Sequence, residues 1–366
     1  MTIKKSQVKL SKLNNKLNIF FLLLIVHKIC VGLDISGYIG PQVRYFYEDP
    51  MQQDVQYKFY PSLSSEIEIL HITHNTEFVL KPFARVEQHH TKRNYWNLRE
   101  MAVLHDFEYG MLQIGLSKVF WGVAESQHLV DIINQTDILG TVGGDDKLGQ
   151  PMVRFIKPFA DYGSLELFML PYFREVAVEN EHGRLRANPV IDKDLASYQS
   201  SKGSKHRDWA LRYNNSIAEY DFGLAYFSGT SRQPDLQAPN SYHYPLIKQG
   251  SVDLQATFDK WLWKLEMLSQ QRTAQRHFAC VGGFEYTLYG IANSTQDLGL
   301  LLEYHFDDRG SNSPSPFNND IFMGARLVFN NIASSEVLAG VIIDTATRAQ
   351  AYSIKANHRI SDNLKI

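Results

Sequence analysis

Cysteine is nearly absent from this chain. Two residues in 366, Cys30 and Cys280, leave no room for a disulfide framework or a cysteine-based zinc site. Long apolar runs are missing too, and no stretch reaches the roughly eighteen residues that a membrane-crossing helix needs. Neither sign of charge is in excess: 37 Lys and Arg stand against 39 Asp and Glu, so the basic footprint of a nucleic-acid partner is excluded. There is no Gly-x-Ser-x-Gly, no His-Glu-x-x-His and no phosphate-cradling glycine loop, which removes the common hydrolase, zinc-peptidase and nucleotide motifs and leaves no cofactor to expect.

What is present is alternation. From Trp209 to Asp344 apolar and polar residues alternate in segments closed by turns, and aromatic residues crowd the apolar register. Trp209, Leu211 and Tyr213 oppose Ala210, Arg212 and Asn214. Trp261, Trp263, Leu265 and Met267 oppose Lys264 and Glu266, and Leu298, Leu300, Leu302, Tyr304 and Phe306 oppose Glu303 and His305. Successive side chains of a strand point to opposite faces, so one face of each segment is greasy and the other charged. Many segments run ten residues or more, the length that crosses a bilayer at a tilt of about 45°, whereas strands of soluble sandwiches average about five or six. The pattern predicts an all-β, antiparallel up-and-down transmembrane β-barrel with its apolar register on lipid.

The N-terminus supplies a route to a membrane. Lys4, Lys5, Lys9, Lys12 and Lys16 precede the apolar block from Ile19 to Val26, and Cys30-Val31-Gly32 ends in a small residue. Residues 1–32 read as a cleaved signal peptide, and residues 33–366 as the barrel. Connections alternate in length. Tight turns are expected at Asn75, Glu108, Asp161–Gly163, Asn214–Ser216, Asp259, Asn293–Gln296 and Asn330–Ser334, and long links at 121–150, 173–206, 229–247 and 308–318, with shorter ones near Gln270–Ala274 and Thr347–Gln350. Outer-membrane barrels show this rhythm, with the short turns periplasmic and the long loops external. The count reaches about sixteen strands by Ser361. Leu364-Lys365-Ile366 then opens a seventeenth, and Ile366 is not a terminal Phe or Trp. The expectation is a truncated form of a barrel of roughly eighteen strands, the alternative being a complete barrel of about sixteen with a frayed tail.

The signal segment, the rhythm of turns and loops, and the aromatic outward register resemble the general porins of Gram-negative outer membranes, over essentially the whole mature chain. The stretch Trp121-Gly122-Val123-Ala124-Glu125-Ser126-Gln127-His128-Leu129-Val130-Asp131-Ile132-Ile133-Asn134-Gln135 also resembles one in uncharacterised porin-like outer-membrane proteins. The resemblance implies a channel in outer-membrane lipid for passive or facilitated diffusion of small solutes, delivered by the barrel insertion machinery. Gly282, Ala325 and Ala339 are too sparse a set of small outward residues to define a subunit face.

Two groups of residues are expected to meet the solute. Lys81, Arg85, Glu87, Arg154, Glu166, Arg212, Asp253, Lys264, Glu266, Glu285, Glu303 and Arg326 fall in the inward register, with signs mixed, so no strong ion selectivity is expected. They line the channel as opposed rows of acids and bases or stand as ion pairs within the wall. The 121–150 link is expected to fold inward as a constriction carrying Glu125, His128, Asp131, Asp145 and Asp146, with a turn or two of amphipathic helix from the spacing of Val123, Leu129, Val130 and Ile133. Its acids and His128 match no metal-ligand template. Two other functions were weighed. A structural or adhesive barrel would bind a partner through loops 173–206 and 229–247. A barrel-embedded hydrolase would need Ser126, His128 and Asp131, which cannot converge at that spacing.

Overall fold

The computed structural model describes residues 32–49, 57–140, 146–273, 275–315, 317–361 and 364–365. The expected signal segment therefore lies, apart from Gly32, outside the described residues, as does Asp145.

Sixteen strands form a single sheet in which every neighbour in space is the neighbour in sequence. They are β1 (Leu33–Tyr45), β2 (Phe59–Ile72), β3 (Thr76–Glu87), β4 (Tyr95–Phe107), β5 (Gly110–Ser117), β6 (Gln150–Phe159), β7 (Gly163–Leu170) and β8 (Asp208–Ile217). The second half comprises β9 (Tyr220–Thr230), β10 (Leu246–Phe258), β11 (Trp261–Arg272), β12 (Gln275–Leu288), β13 (Asp297–Asp307), β14 (Asn319–Val328), β15 (Glu336–Asp344) and β16 (Gln350–Asn357). All pairings are antiparallel, which is the up-and-down course that the alternation predicts. Among the described residues, β1 and β16 have one strand neighbour each. Arg359–Ser361 and Leu364–Lys365 pair with each other outside the main sheet.

Turn chemistry explains the tight end. The two-residue turns Ala218-Glu219 and Asp259-Lys260 place Ala218 and Asp259 at positive φ, the backbone that matches strand twist in a hairpin. Two links at this end are longer than expected, 289–296 and 329–335. At the other end the link between β11 and β12 shrinks to 273–274, because β11 continues through Gln270 to Arg272. The length contrast is thus lost at that hairpin, and the tight-end link 329–335 is also longer than the link 345–349 at the other end. Loops 171–207 and 231–245 are knitted together at the long-loop end, where Ser197–Tyr198, Asp235–Gln237 and Ser241–Tyr244 form a three-stranded sheet.

The sheet curls on itself. The segment after β5 touches side chains of β11, β13 and β14, six to nine strands away in sheet order, which a flat sheet forbids. Its convex face is apolar. Phe107, Tyr109, Phe159, Tyr162, Tyr220, Phe258, Trp261 and Tyr289 are exposed at the tight-turn end. Tyr45, Phe59, Trp96, Phe120, Trp209, Phe278 and Phe306 are exposed at the other, with Ile114, Leu167, Leu224, Leu300 and Met323 between. On β4, Trp96 and Phe107 are separated by roughly 36 Å of strand at about 3.3 Å per residue, or about 25 Å once tilted by about 45°. That is the height of the apolar band of an outer-membrane barrel, with aromatic rings marking both interfaces.

Candidate functional site

The concave face carries the charges, and they neutralise one another locally. Arg212 on β8 and Asp253 on β10 form a two-pronged pair at 2.7 and 2.8 Å, reaching across Gly223 of β9, which has no side chain to separate them. Arg154 meets Glu166 at 2.7 Å, and Lys81 sits between Glu68 and Glu100 at 3.0 and 3.1 Å. Glu87 is fully covered and takes Arg44 at 2.8 Å and Arg93 at 2.7 Å. Arg326 is a hub, 2.5 Å from Glu125, 2.8 Å from Glu336 and 3.3 Å from Glu285, with Lys264 a further 3.8 Å from Glu125. Each of these bases therefore has an acid within two strands of it or on the inward segment, rather than standing in a row of its own sign.

Glu266, Glu303 and Arg85 do something different: they hold main chain. Residues 118–140 and 146–149 lie inside the curl. Their apolar members Val119, Trp121, Val130, Ile132 and Ile133 are buried against Met152 of β6, Phe168 and Leu170 of β7, Ala210 of β8, Phe227 of β9 and Ile247 of β10. Burying a non-helical segment strands its N–H groups, and each needs an acceptor. Glu266, wholly buried, accepts from Val123 N at 2.7 Å and Ala124 N at 2.8 Å through Oε1, and from Val130 N at 3.0 Å through Oε2. Glu303 accepts from Glu125 N at 2.7 Å and from Ser126 N at 2.9 Å, and also takes the Ser126 hydroxyl. Arg85 donates to the carbonyl of Gly140 at 2.7 Å. Arg232, in the loop after β9, donates to that of Ile133 at 2.9 Å.

The expected helical turns do not form. Asp131 accepts from Trp121 N at 2.7 Å and Gly122 N at 3.2 Å, and Glu266 and Glu303 take the next four N–H groups, so the donors a helix would turn on its own carbonyls are captured by carboxylates. Asn134 completes the tie: its amide donates to Ser117 O and Leu148 O at 2.8 and 2.9 Å and accepts from Val119 N at 2.9 Å, pinning both ends of the segment to its centre.

Of the five residues expected at a constriction, the four described ones are dispersed by these ties. Glu125 faces Arg326, and Asp131 caps its own segment. His128 lies against Gly122, and Asp146 pairs with Arg99 at 3.3 Å. Among the described residues no three His, Cys, Asp or Glu side chains gather as metal ligands. Ser126 Oγ meets His305 Nε2 at 2.7 Å, a contact that the local spacing of Ser126, His128 and Asp131 does not suggest. The N–H groups of Glu125 and Ser126 that would hold an oxyanion beside that serine are filled by the Glu303 carboxylate.

Between the segment and the wall of β10 to β16 lies a cavity of about 1320 Å³, reached by Glu125, Ser126, Gln127 and His128 on one side. On the other side stand residues that a search restricted to charged side chains passes over: Gln249, Gln270, His277, Leu268, Phe322 and Leu338. Their inward parity was readable. Gln270 falls in the stretch that the sequence marks as a link, whereas β11 runs on to Arg272.

Comparison with known proteins gives structural likeness only. No family model matches the chain. No curated protein matches it either. Among solved structures, a loop L8 deletion mutant of OmpT, an outer membrane protein of Vibrio cholerae, matches with a TM-score of 0.49 at 10% identity, covering 88% of this chain and 97% of that one. OprB of Pseudomonas putida gives 0.48 at 10% identity, covering 89% and 92%. OmpF of Salmonella typhi, in complex with daunomycin, gives 0.48 at 10% identity, covering 84% and 89%. At such identity no residue role transfers, and the site is defined by this chain's own contacts.

Proposed function

We propose that this protein is an outer-membrane, porin-like channel for the passive or facilitated diffusion of small solutes. One observation carries the reading: an apolar band about 25 Å high between two sets of exposed aromatic residues encloses an ion-paired interior with a cavity of about 1320 Å³. An exposed apolar face of that size marks a surface that something else covers, in this reading lipid, and the charges inside are stable because they are paired. The inward segment divides the interior and makes it narrower than the wall alone would. Because the wall charges neutralise in place, the channel passes ions of both signs with weak preference. Residues 33–366 act in this reading as the barrel. Asp253, Lys264, Glu285 and Arg326 line the channel, and the tied segment at Glu125 forms its constriction. The refolded protein in a planar lipid bilayer is expected to give stepwise current. A membrane that stays silent while the protein is shown to be inserted sinks the reading.

A further inference from the structure

Three inward side chains form a polar row near the long-loop end of the wall. Gln249 of β10 is the cross-strand partner of Gln270 of β11, and Gln270 is the partner of His277 of β12. All three are buried and all three line the cavity. Gln270 Nε2 donates to Gln249 Oε1 at 2.9 Å. That single bond leaves Gln249 Nε2 and Gln270 Oε1, both buried, with no partner. Exchanging O and N in both amides alters nothing essential, since one free donor and one free acceptor remain side by side. An unmet buried amide group carries a desolvation cost, so this pair is held ready for something that both accepts and donates.

The surroundings restrict what that is. Next to the row, in the same inward register, the wall turns apolar: Leu268 follows Gln270 on β11, and Ala279 follows His277 on β12. Leu301, Phe322, Leu338 and Ile342 continue the apolar surface across β13 to β15. The Phe322 ring lies over Gly324 and Gly340, where any Cβ would strike it. The charged groups beside the row are already paired: Asp307 takes Arg309 at 2.5 Å and Ser313 at 2.9 Å, and Arg272 pairs with Asp235. A fully charged solute would leave this stretch of wall without a counter-ion, and a sugar would leave its apolar part without contact.

Building on the channel reading, we propose that the Gln249–Gln270 pair and the adjoining apolar wall form a binding subsite for uncharged amphipathic solutes whose polar end carries an amide. The amide carbonyl accepts from Gln249 Nε2, the amide N–H donates to Gln270 Oε1, and the apolar body lies along Leu268, Ala279 and Phe322.

Isothermal titration of the full chain in detergent, with N-acetylphenylalanine amide as probe and N-acetylphenylalanine (a carboxylate) and glucose as comparisons, tests this without requiring conduction. Saturable binding of the amide is expected, at least about tenfold tighter than either comparison. Gln249→Ala and Gln270→Ala are each expected to weaken it about tenfold while the folded, heat-modifiable form on gels is retained. Absence of saturable amide binding by the unmutated protein, or equal affinity for all three probes, overturns the subsite even if neither variant folds. Unchanged affinity in both folded variants overturns it as well. A protein that conducts in bilayers but fails this titration keeps the channel and loses the subsite, whereas binding without current does the reverse.

Discussion

The carboxylate of Glu266 lies 2.7 Å from the main-chain nitrogen of Val123, joining the inner wall to a segment 143 residues away in sequence. Two further N–H groups, those of Ala124 and Val130, share the same carboxylate. Glu266→Gln replaces one acceptor oxygen with a donor and orphans at least one of the three. The segment is expected to loosen by about 1–3 kcal/mol. Faster protease cleavage within 121–131 and noisier, larger single-channel steps would report it, and an unaltered cleavage rate would refute the tie.

Arg326 balances three acids, Glu125, Glu285 and Glu336, while Lys264 stays 3.8 Å from the first of them. Arg326→Met removes the cation and leaves the carboxylates facing the interior. Permeation is expected to shift toward cations, more strongly at low ionic strength because salt screens the uncovered charge. The reversal potential under a potassium chloride gradient measures this, and a shift toward chloride is the contrary result.

Gly283 is required by close approach of backbone. A Cβ there would stand 1.9 Å from the carbonyl oxygen of Leu302 and 2.7 Å from the Glu303 Cα, neither of which can swing aside as a side-chain tip can. Gly283→Ala is expected to cost about 1–3 kcal/mol by forcing β12 and β13 apart. Lower urea concentration at the unfolding midpoint checks it, with Gly250→Ala as the control, since its Cβ meets nothing within 4 Å.

His90, in the link between β3 and β4, is buried with both ring nitrogens unpartnered. Burial holds its pKa below the usual 6.5, against the pull of Glu179 and of Glu87, 3.8 Å away, while Arg44 and Arg93 push the same way as burial. A histidine with a depressed folded-state pKa takes up a proton more readily when unfolded, so its contribution to stability is present above 6.5 and is lost as pH falls below that value. Hydrogen-exchange protection in residues 88–94, taken relative to the intrinsic rate at each pH, is expected to fall on acidification through that range, and His90→Gln is expected to flatten the response.

The parity of the wall was legible in the sequence: which side chains face in, which face out, and how the strands succeed one another. That follows because a strand's two-residue period is a local property, and a run such as Trp261-Leu262-Trp263-Lys264 declares its two faces without any knowledge of its neighbours. The turn at Asp259 is local in the same sense, whereas the turn expected at Asn214–Ser216 falls at Ala218-Glu219 because β8 continues to Ile217. Residue type along one strand does not say whom a charge will meet. Only the curl of sixteen strands brought Glu303 to Glu125 N across 178 residues, set Gln270 beside Gln249, and replaced the helical turns expected within 121–150 by non-helical chain hung on carboxylates. Those partners come from closure in three dimensions, where a buried N–H takes whichever acceptor the fold delivers, and helical spacing yields to a nearby anion.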